Sequence, residues 1–438
     1  MAVAALERFR LIVYDFLRYH PLFRSLVAQS ILIRESKAIS RPSTELARTI
    51  NRLGLAARIT ASEKTRRRIE SVTTKLSAHL KKEELDWDAL IGGTAKSEVR
   101  KGIILKPPVS DAERGVLLIA FETHWMRLLR HADLQKLAAK YHLIVAPTWS
   151  PPHDLAIMLV GYLWPGPLFH LLSNFNDQPV FGRLIKDSWA VPLLSSSWVN
   201  PVLFSDSAPV EKEFDIVMLA NFSTYKRHFS FFCMLRNMPP ATKVLLLGRP
   251  LHRRDAETIM HEASLAGVAD RITIKQGLPD DELVKAMRSA KIHVIYSKNE
   301  GSCVAVAESM FADVPVALLE DANIGSGAWI NDQTGCFLST RNPAKDLTRA
   351  IDRYESFQPR DWVTSQSIDY VGSTRVLNDS LKAFAKERGE PWTRDIVTHT
   401  WRPNPSYVRT EDVDELAPLA ERFRDDYGVA LLVNRIDQ

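Results

Sequence analysis

Cysteine is scarce in this chain. Its 438 residues include three, Cys233, Cys303 and Cys336. They are odd in number and far apart, so neither a disulfide framework nor a metal cage is implied. A reducing cytoplasm is the natural setting for such a chain. No stretch approaches the roughly 20 apolar residues that a membrane-spanning helix needs. The apolar residues near the N-terminus are interrupted by Glu7, Arg8, Arg10, Asp15 and Arg18, which does not read as a signal peptide. Zinc-finger spacing, a basic zipper and an RNP-like aromatic pattern are all missing, so nucleic acid is not an expected partner. There is no short internal repeat and no low-complexity tract.

What is present is a globular composition, 45% hydrophobic and 25% charged. The length exceeds one ordinary core, so two domains are expected. Net charge is +5, with an isoelectric point near 9.0. That modest excess favours anionic ligands or surfaces.

Residues 1–105 read as a helical extension. Leu6, Phe9, Val13, Phe16 and Leu17 recur at helical spacing before Pro21 interrupts. A second helix fits Thr44 to Leu55, with Ser43 as its N-cap. A third fits Ser62 to Lys82 and carries Lys64, Arg66, Arg67, Arg68, Lys75, Lys81 and Lys82. Such a helix has either a solvated basic face or a peripheral contact with an anionic membrane surface.

From 106 to 205 the pattern changes to alternating strands and helices, which means a parallel sheet with crossovers. Strands fit Gly115 to Phe121, Leu143 to Pro147, Pro179 to Phe181 and Val191 to Leu194. The turn-rich stretch from Ser195 to Pro209 suits an interdomain linker. A second α/β pattern fills 206–359, with strands at Phe214 to Leu219, Lys243 to Gly248, Ile272 to Ile274, Ile292 to Tyr296 and Val314 to Leu319. Residues 360–438 are expected to complete the first domain. The tryptophans read as core residues. Two parallel-sheet halves leave a cleft, with ligands at the carboxyl ends of the strands.

The segment Asn299 to Glu308 is the most informative. It lies between two apolar runs as strand, glycine turn and helix. Gly301 lets the backbone approach a ligand, and Ser302 can cap the helix. The amides of Gly301, Ser302, Cys303 and Val304 favour an anion such as a diphosphate. Glu300 and Glu308 suit the hydroxyl donors of a sugar nucleotide. Lys226 and Arg227, after one strand, and Arg249, after the next, supply the charge that offsets two carboxylates beside a diphosphate.

These features resemble the nucleotide-binding domain of the GT-B glycosyltransferases of family 4, often called glycosyl transferases group 1. The resemblance rests on Tyr296-Ser297 through Glu300, Glu308-Ser309-Met310 and Pro315-Val316. Upstream, Gly277-Leu278-Pro279-Asp280 resembles the family's loop by the base. Downstream, Asn331 to Leu338 resembles its glycine-bearing hairpin. The fold this implies is GT-B, two Rossmann-like domains facing across a cleft. The activity it implies is retaining transfer from a nucleotide-diphosphate sugar, with no bound metal and no further cofactor. Glu300 then holds the transferred sugar, Glu308 the ribose and Lys226 the diphosphate, while the backbone near Gln276, Gly277 and Leu278 meets the base. The acceptor is expected to be a glycan, a lipid-linked sugar or a small molecule, as in polysaccharide biosynthesis.

Three departures stand out. Asn221 occupies the position of the family's usual arginine. Asp313 replaces a glycine before Val314-Pro315. The first domain has Glu122-Thr123-His124-Trp125 in place of a glycine-rich loop, which makes His124 a candidate contact to donor or acceptor. His153 is a weaker one. The alternatives are an inactive scaffold or binding protein of the same fold, or a sugar-nucleotide epimerase.

Overall fold

The computed structural model describes residues 2–36, 42–91, 96–204, 208–401 and 404–432. Residues 205–207 of the expected linker fall outside this set. The chain forms two compact units. One comprises the residues up to His20 together with Val199–Asp369, and the other Pro21–Trp198 with the chain from Tyr370. The N-terminal helices are therefore not one extension: the first goes with one unit and the rest with the other.

The unit containing Val199–Asp369 is built on a six-stranded parallel sheet. Across the sheet the strands run Ile272–Gln276, Val244–Gly248, Phe214–Leu219, Ala290–Ile295, Val316–Leu319 and Gly335–Leu338. In chain order these are third, second, first, fourth, fifth and sixth, the doubly wound Rossmann order. The central strands are mostly apolar, because helices cover both faces; Asp215, Lys291 and His293 are the exceptions in the two central strands. Those helices are His228–Leu235, Ala256–Ala266, Asp280–Arg288, Val304–Phe311 and Pro343–Asp352. Phe231, Phe232, Leu246, Val294 and Leu347 lie at the centre of the core. Winding reverses between Phe214–Leu219 and Ala290–Ile295, where His293 pairs with Val217.

The expected glycine-bearing hairpin is instead the sixth strand, Gly335–Leu338, parallel to Val316–Leu319. Asp313 takes the conformation of the glycine it replaces, with φ 60°. Its carboxylate accepts a hydrogen bond from the Arg360 amide at 3.4 Å, a local compensation for the strain.

The other unit carries a five-stranded sheet in simple chain order: Gly102–Lys106, Gly115–Ala120, Tyr141–Ala146, Leu168–Leu172 and Ser188–Leu194. The first pair is antiparallel and the rest are parallel. The Pro179 to Phe181 stretch, expected as a strand, lies in helix Gln178–Leu184, where Pro179 is accommodated in the first turn. The strand Leu168–Leu172 was masked in the sequence by the flanking prolines, and it is fully buried. Helix Ser43–Ile59 is preceded by Pro42, so Ser43 is its first residue and not its cap. The Ser43 hydroxyl donates to the Glu84 carboxylate at 2.8 Å. The basic helix ends at Ser77, short of Lys82, and Ser62 caps its start by accepting from the Thr65 amide.

Among the contacts that anchor the chain from Tyr370 to this sheet, two stand out. Phe384, in helix Tyr370–Arg388, packs against Trp189 with ring centroids 4.4 Å apart. The buried Glu113 carboxylate accepts from Lys106 at 2.6 Å and from the Thr393 hydroxyl at 2.7 Å. Burial alone raises the Glu113 carboxyl, but these bonds outweigh it and hold its pKa at about 2.

Gly335 offers a direct check of the sixth strand. A Cβ there would lie 1.9 Å from the Val316 carbonyl oxygen. Gly335→Ala is expected to lower stability by about 2–3 kcal/mol, read as a fall in the urea midpoint. An unchanged midpoint would contradict this strand pairing.

Candidate functional site

The reversal of winding brings together the loops after Phe214–Leu219 and Ala290–Ile295. From the first comes Lys226 and from the second Glu300. The Lys226 ammonium donates to both Glu300 carboxylate oxygens, at 2.8 and 2.7 Å, with each side chain about 10% exposed. Burial pulls the lysine pKa down, but the charge of Glu300 and the nearby Cys303 and Tyr225 more than offset it, so the pKa is raised. Lys226 is therefore a cation held next to a carboxylate at the carboxyl end of the sheet.

Each partner is positioned by its own loop. The Asn221 carbonyl oxygen accepts from the Ser223 amide and its amide nitrogen donates to the Tyr225 hydroxyl. Asn221 thus braces the turn that presents Lys226. On the other side, the Glu300 amide donates to the Asn323 carbonyl at 3.2 Å. The Gly325 amide donates to the Gly301 carbonyl at 3.0 Å, and the Ser326 hydroxyl to the Cys303 carbonyl at 3.2 Å. Sequence reasoning missed the segment Asn323 to Ser326, because its role is made through backbone groups and one serine hydroxyl, which carry no distinctive spacing.

Cys303, not Ser302, occupies the N-cap of helix Val304–Phe311, with φ 50° and no side-chain cap. Among the described residues, the amides of Gly301, Cys303 and Val304 meet no hydrogen-bond acceptor. Burial and the adjacent Glu300 push the Cys303 thiol up, so it is neutral. Gly301 and Ser302 are buried and Val304 is exposed. Glu308 is half-buried, four residues into the same helix from Val304.

A buried histidine ties these parts together. His293 Nε2 accepts from the Leu219 amide at 3.2 Å, at the end of the neighbouring strand. Its Nδ1 bonds the hydroxyl of Ser309, the residue after Glu308. The ring is fully buried, and burial followed by the charge of Lys226 lowers its pKa to about 3. His293 is therefore neutral and fixes the Glu308 helix to the strand that leads to Lys226. In the sequence it is one apolar-strand position among several.

The other cations part ways. Arg227 adopts φ 58° and turns back, so the two side chains next to each other in sequence have different partners. Its guanidinium donates to both Asp15 oxygens at 2.9 and 2.7 Å and to the Tyr296 carbonyl at 3.2 Å. The Tyr19 and Tyr296 rings lie 5.1 and 5.3 Å from its centre. Arg227, expected at the donor, is instead spent on docking helix Ala2–Tyr19. Arg249 is exposed, and among the described residues only its carbonyl is engaged, by the Phe222 amide. His252, not singled out in the sequence, bonds the Ser223 hydroxyl at 3.2 Å beside the Lys226 turn. Gln276 ends its strand beside Gly248. Gly277 follows at φ 64°, a left-handed position that favours glycine, and Leu278 is half-buried.

His124 lies in the other unit, in the first turn of helix Glu122–His131. Its Nδ1 accepts from the Arg100 amide at 3.3 Å. Burial, then Arg127, Lys101 and Arg100, lower its pKa to about 4. Phe121 precedes this helix at φ 64°, taking a conformation open to the glycine that the sequence lacks there. The Glu122 carboxylate accepts from the Thr148 amide and hydroxyl and from the Ser150 amide, closing the neighbouring strand's loop. His153 is bonded to the buried Glu70 and serves the packing of helix Glu63–Ser77. Among the tryptophans, Trp125 is fully buried, but Trp149 is 53% exposed, against the expectation of a core role.

Two outcomes follow. Asp15→Ala leaves the buried Arg227 unpaired and is expected to cost about 2–3 kcal/mol in denaturant unfolding, with nucleotide affinity little changed. A loss of affinity without loss of stability would return Arg227 to the donor site. The second concerns pH. His293 and His228 each have a pKa of about 3 when folded, against about 6.5 when unfolded. The unfolded chain binds more protons between these values, so stability is full above pH 6.5 and falls as pH drops. The slope is up to about 1.4 kcal/mol per pH unit for each histidine. His293→Gln is expected to shrink the stability difference between pH 7 and pH 4.5 in urea titrations; an unchanged difference would contradict a neutral buried ring.

Comparison with known proteins bears on residues 200–363, which match the family described as Glycosyl transferases group 1. No curated protein matches the chain. Among solved structures, sucrose-phosphate synthase from Thermosynechococcus elongatus is similar at 14% identity and a TM-score of 0.49, over 62% of this chain and 74% of that one. HepE from Anabaena, solved with UDP, gives 14% and 0.47, over 61% and 78%. The pneumococcal O-GlcNAc transferase GtfA, solved with UDP and GlcNAc, gives 12% and 0.43, over 63% and 57%.

Proposed function

We propose that this chain is a retaining glycosyltransferase using a nucleotide-diphosphate sugar, a reading supported by the match of residues 200–363 to the Glycosyl transferases group 1 family. The observation that carries the reading is the buried Lys226–Glu300 pair at the reversal of a doubly wound sheet. Beside it lie the unbonded amides of a helix start, a site for an anion.

The roles follow from charge. On donor arrival the Lys226 ammonium is shared with the diphosphate, and the amides of Gly301, Cys303 and Val304 take further phosphate oxygens. Glu300, released from an exclusive pair, accepts hydroxyl donors of the sugar. Glu308, farther along the helix, accepts those of the ribose, and the backbone of Gln276, Gly277 and Leu278 meets the base. As the sugar departs, negative charge grows on the leaving diphosphate, and the fixed cation and amides stabilise it most in that state. Arg249 and His252 add positive charge at the rim.

For the acceptor we assign a cavity of about 610 Å³ in the other unit, lined by Arg48, Asn51, Glu122, Thr148, Trp149 and Asp154. It opens beyond the carboxyl ends of the strands Gly115–Ala120 and Tyr141–Ala146. Polar groups around one exposed indole suit a hydroxylated acceptor such as a glycan. His124 is neutral near this end of the sheet and is able to act as a hydrogen-bond partner there. One observation favours a non-catalytic reading: Asn221 stands in place of an arginine and Arg227 is committed to Asp15, which leaves fewer cations for the diphosphate.

A panel of UDP, GDP and ADP sugars separates these. Lys226→Ala is expected to lower kcat/KM by about 10²–10³. Glu308→Ala is expected to weaken donor binding about tenfold, the loss of one charged hydrogen bond, while Glu300→Ala mainly lowers kcat. Absence of a thermal shift with any nucleotide would favour the scaffold.

A further inference from the structure

Helix Ala2–Tyr19 is turned inside out. Its polar side faces the protein: Glu7 bonds His261 at 3.0 Å, Asp15 pairs with Arg227, and Arg18 donates to Thr224 at 3.2 Å. Leu11 is the apolar residue from this side that packs on the core. Leu6, Phe9, Ile12, Phe16 and Leu17 fall in one sector of about 140° on the opposite side, at about 100° per residue. Leu6 is 68% exposed, Phe9 63% and Phe16 58%. An ordinary surface helix shows the reverse arrangement.

We propose that this apolar face lies in the interfacial layer of a membrane containing anionic lipid. Charge selects this occupant. Both acids of the helix lie on the side away from the stripe, Glu7 hydrogen-bonded to His261 and Asp15 paired with Arg227, whereas Arg10, on the flank of the stripe, is exposed and carries no partner among the described residues. The same sorting recurs in the other unit on helix Pro21–Glu35. Its one acid, Glu35, is buried against Arg34 and Arg52, while Leu22, Leu26 and Ile33 are exposed. Phenylalanine and leucine beside unpaired arginine suit an interfacial helix. Among the described residues no helix is long and apolar enough to cross a membrane, so the helix lies on the surface.

This relocates the membrane contact expected from the basic helix. There, Arg66 and Arg67 are paired with Glu63, and large exposed apolar residues are missing from Glu63–Ser77. The inference does not depend on the donor chemistry.

The test is flotation of the full-length protein with phosphatidylcholine vesicles, with and without phosphatidylglycerol. Binding is expected with phosphatidylglycerol and to weaken as salt is raised. Phe9→Glu with Phe16→Glu is expected to reduce it by about tenfold or more, with an unchanged thermal midpoint because both positions are exposed. Lys64→Glu with Arg68→Glu is expected to leave most binding intact. Undiminished flotation of the phenylalanine variant would overturn the proposal, as would no binding to either vesicle. So would a lipid-free dimer of the parent protein that the phenylalanine variant abolishes, which would assign the face to a second copy.

Discussion

The buried ion pair of Lys226 and Glu300 is the constraint on which the Rossmann-ordered unit turns. Removing both charges from water is costly, and an apolar pair of similar volume would serve stability as well. The pair is sustained because a doubly wound sheet places two strand ends, far apart in sequence, side by side at one point. Its two hydrogen bonds satisfy the ammonium and carboxylate together. A ligand that brings phosphate to one partner and hydroxyls to the other replaces what the pair gives each. On the proposed function, that exchange would make the pair the resting state of the donor site.

Around it the protein sorts its charges by geometry. Lys226 and Arg227 are adjacent, yet a left-handed residue between strand and helix sends one to Glu300 and the other to Asp15. The consequence reaches the N-terminal helix. A helix docked through Glu7, Asp15 and Arg18 must show its remaining face to the outside, and that face is apolar. The Lys226 loop and the exposed stripe are thus two results of one choice of partner for Arg227.

The departures from the family pattern have local explanations. Asp313 and Phe121 adopt φ near 60° where glycine would be unstrained, and the first is partly compensated by its bond to the Arg360 amide. Asn221 braces a turn and does not carry charge. His293 supplies what none of these positions could signal, a neutral ring bridging two elements with its two nitrogens. In the unit that includes His124, Glu122 does comparable work by closing a loop with its carboxylate.

Much of the architecture was legible in sequence. Apolar runs marked nearly every strand of the Rossmann-ordered unit because parallel strands are buried on both faces. Glu300, Glu308 and Lys226 could be chosen because their residue types and spacing carry chemistry locally. Pro165 and Pro167, read as turn signals, hid the strand Leu168–Leu172, and the short apolar run Pro179 to Phe181 suggested a strand where a helix forms. The partner of each charge was decided only by tertiary structure. Periodicity shows that Leu6, Phe9, Phe16 and Leu17 share a face, but the same pattern serves a core or an exposed stripe. Which one it is depends on Arg227, more than two hundred residues away, since electrostatic pairing acts through space and leaves no spacing in the chain.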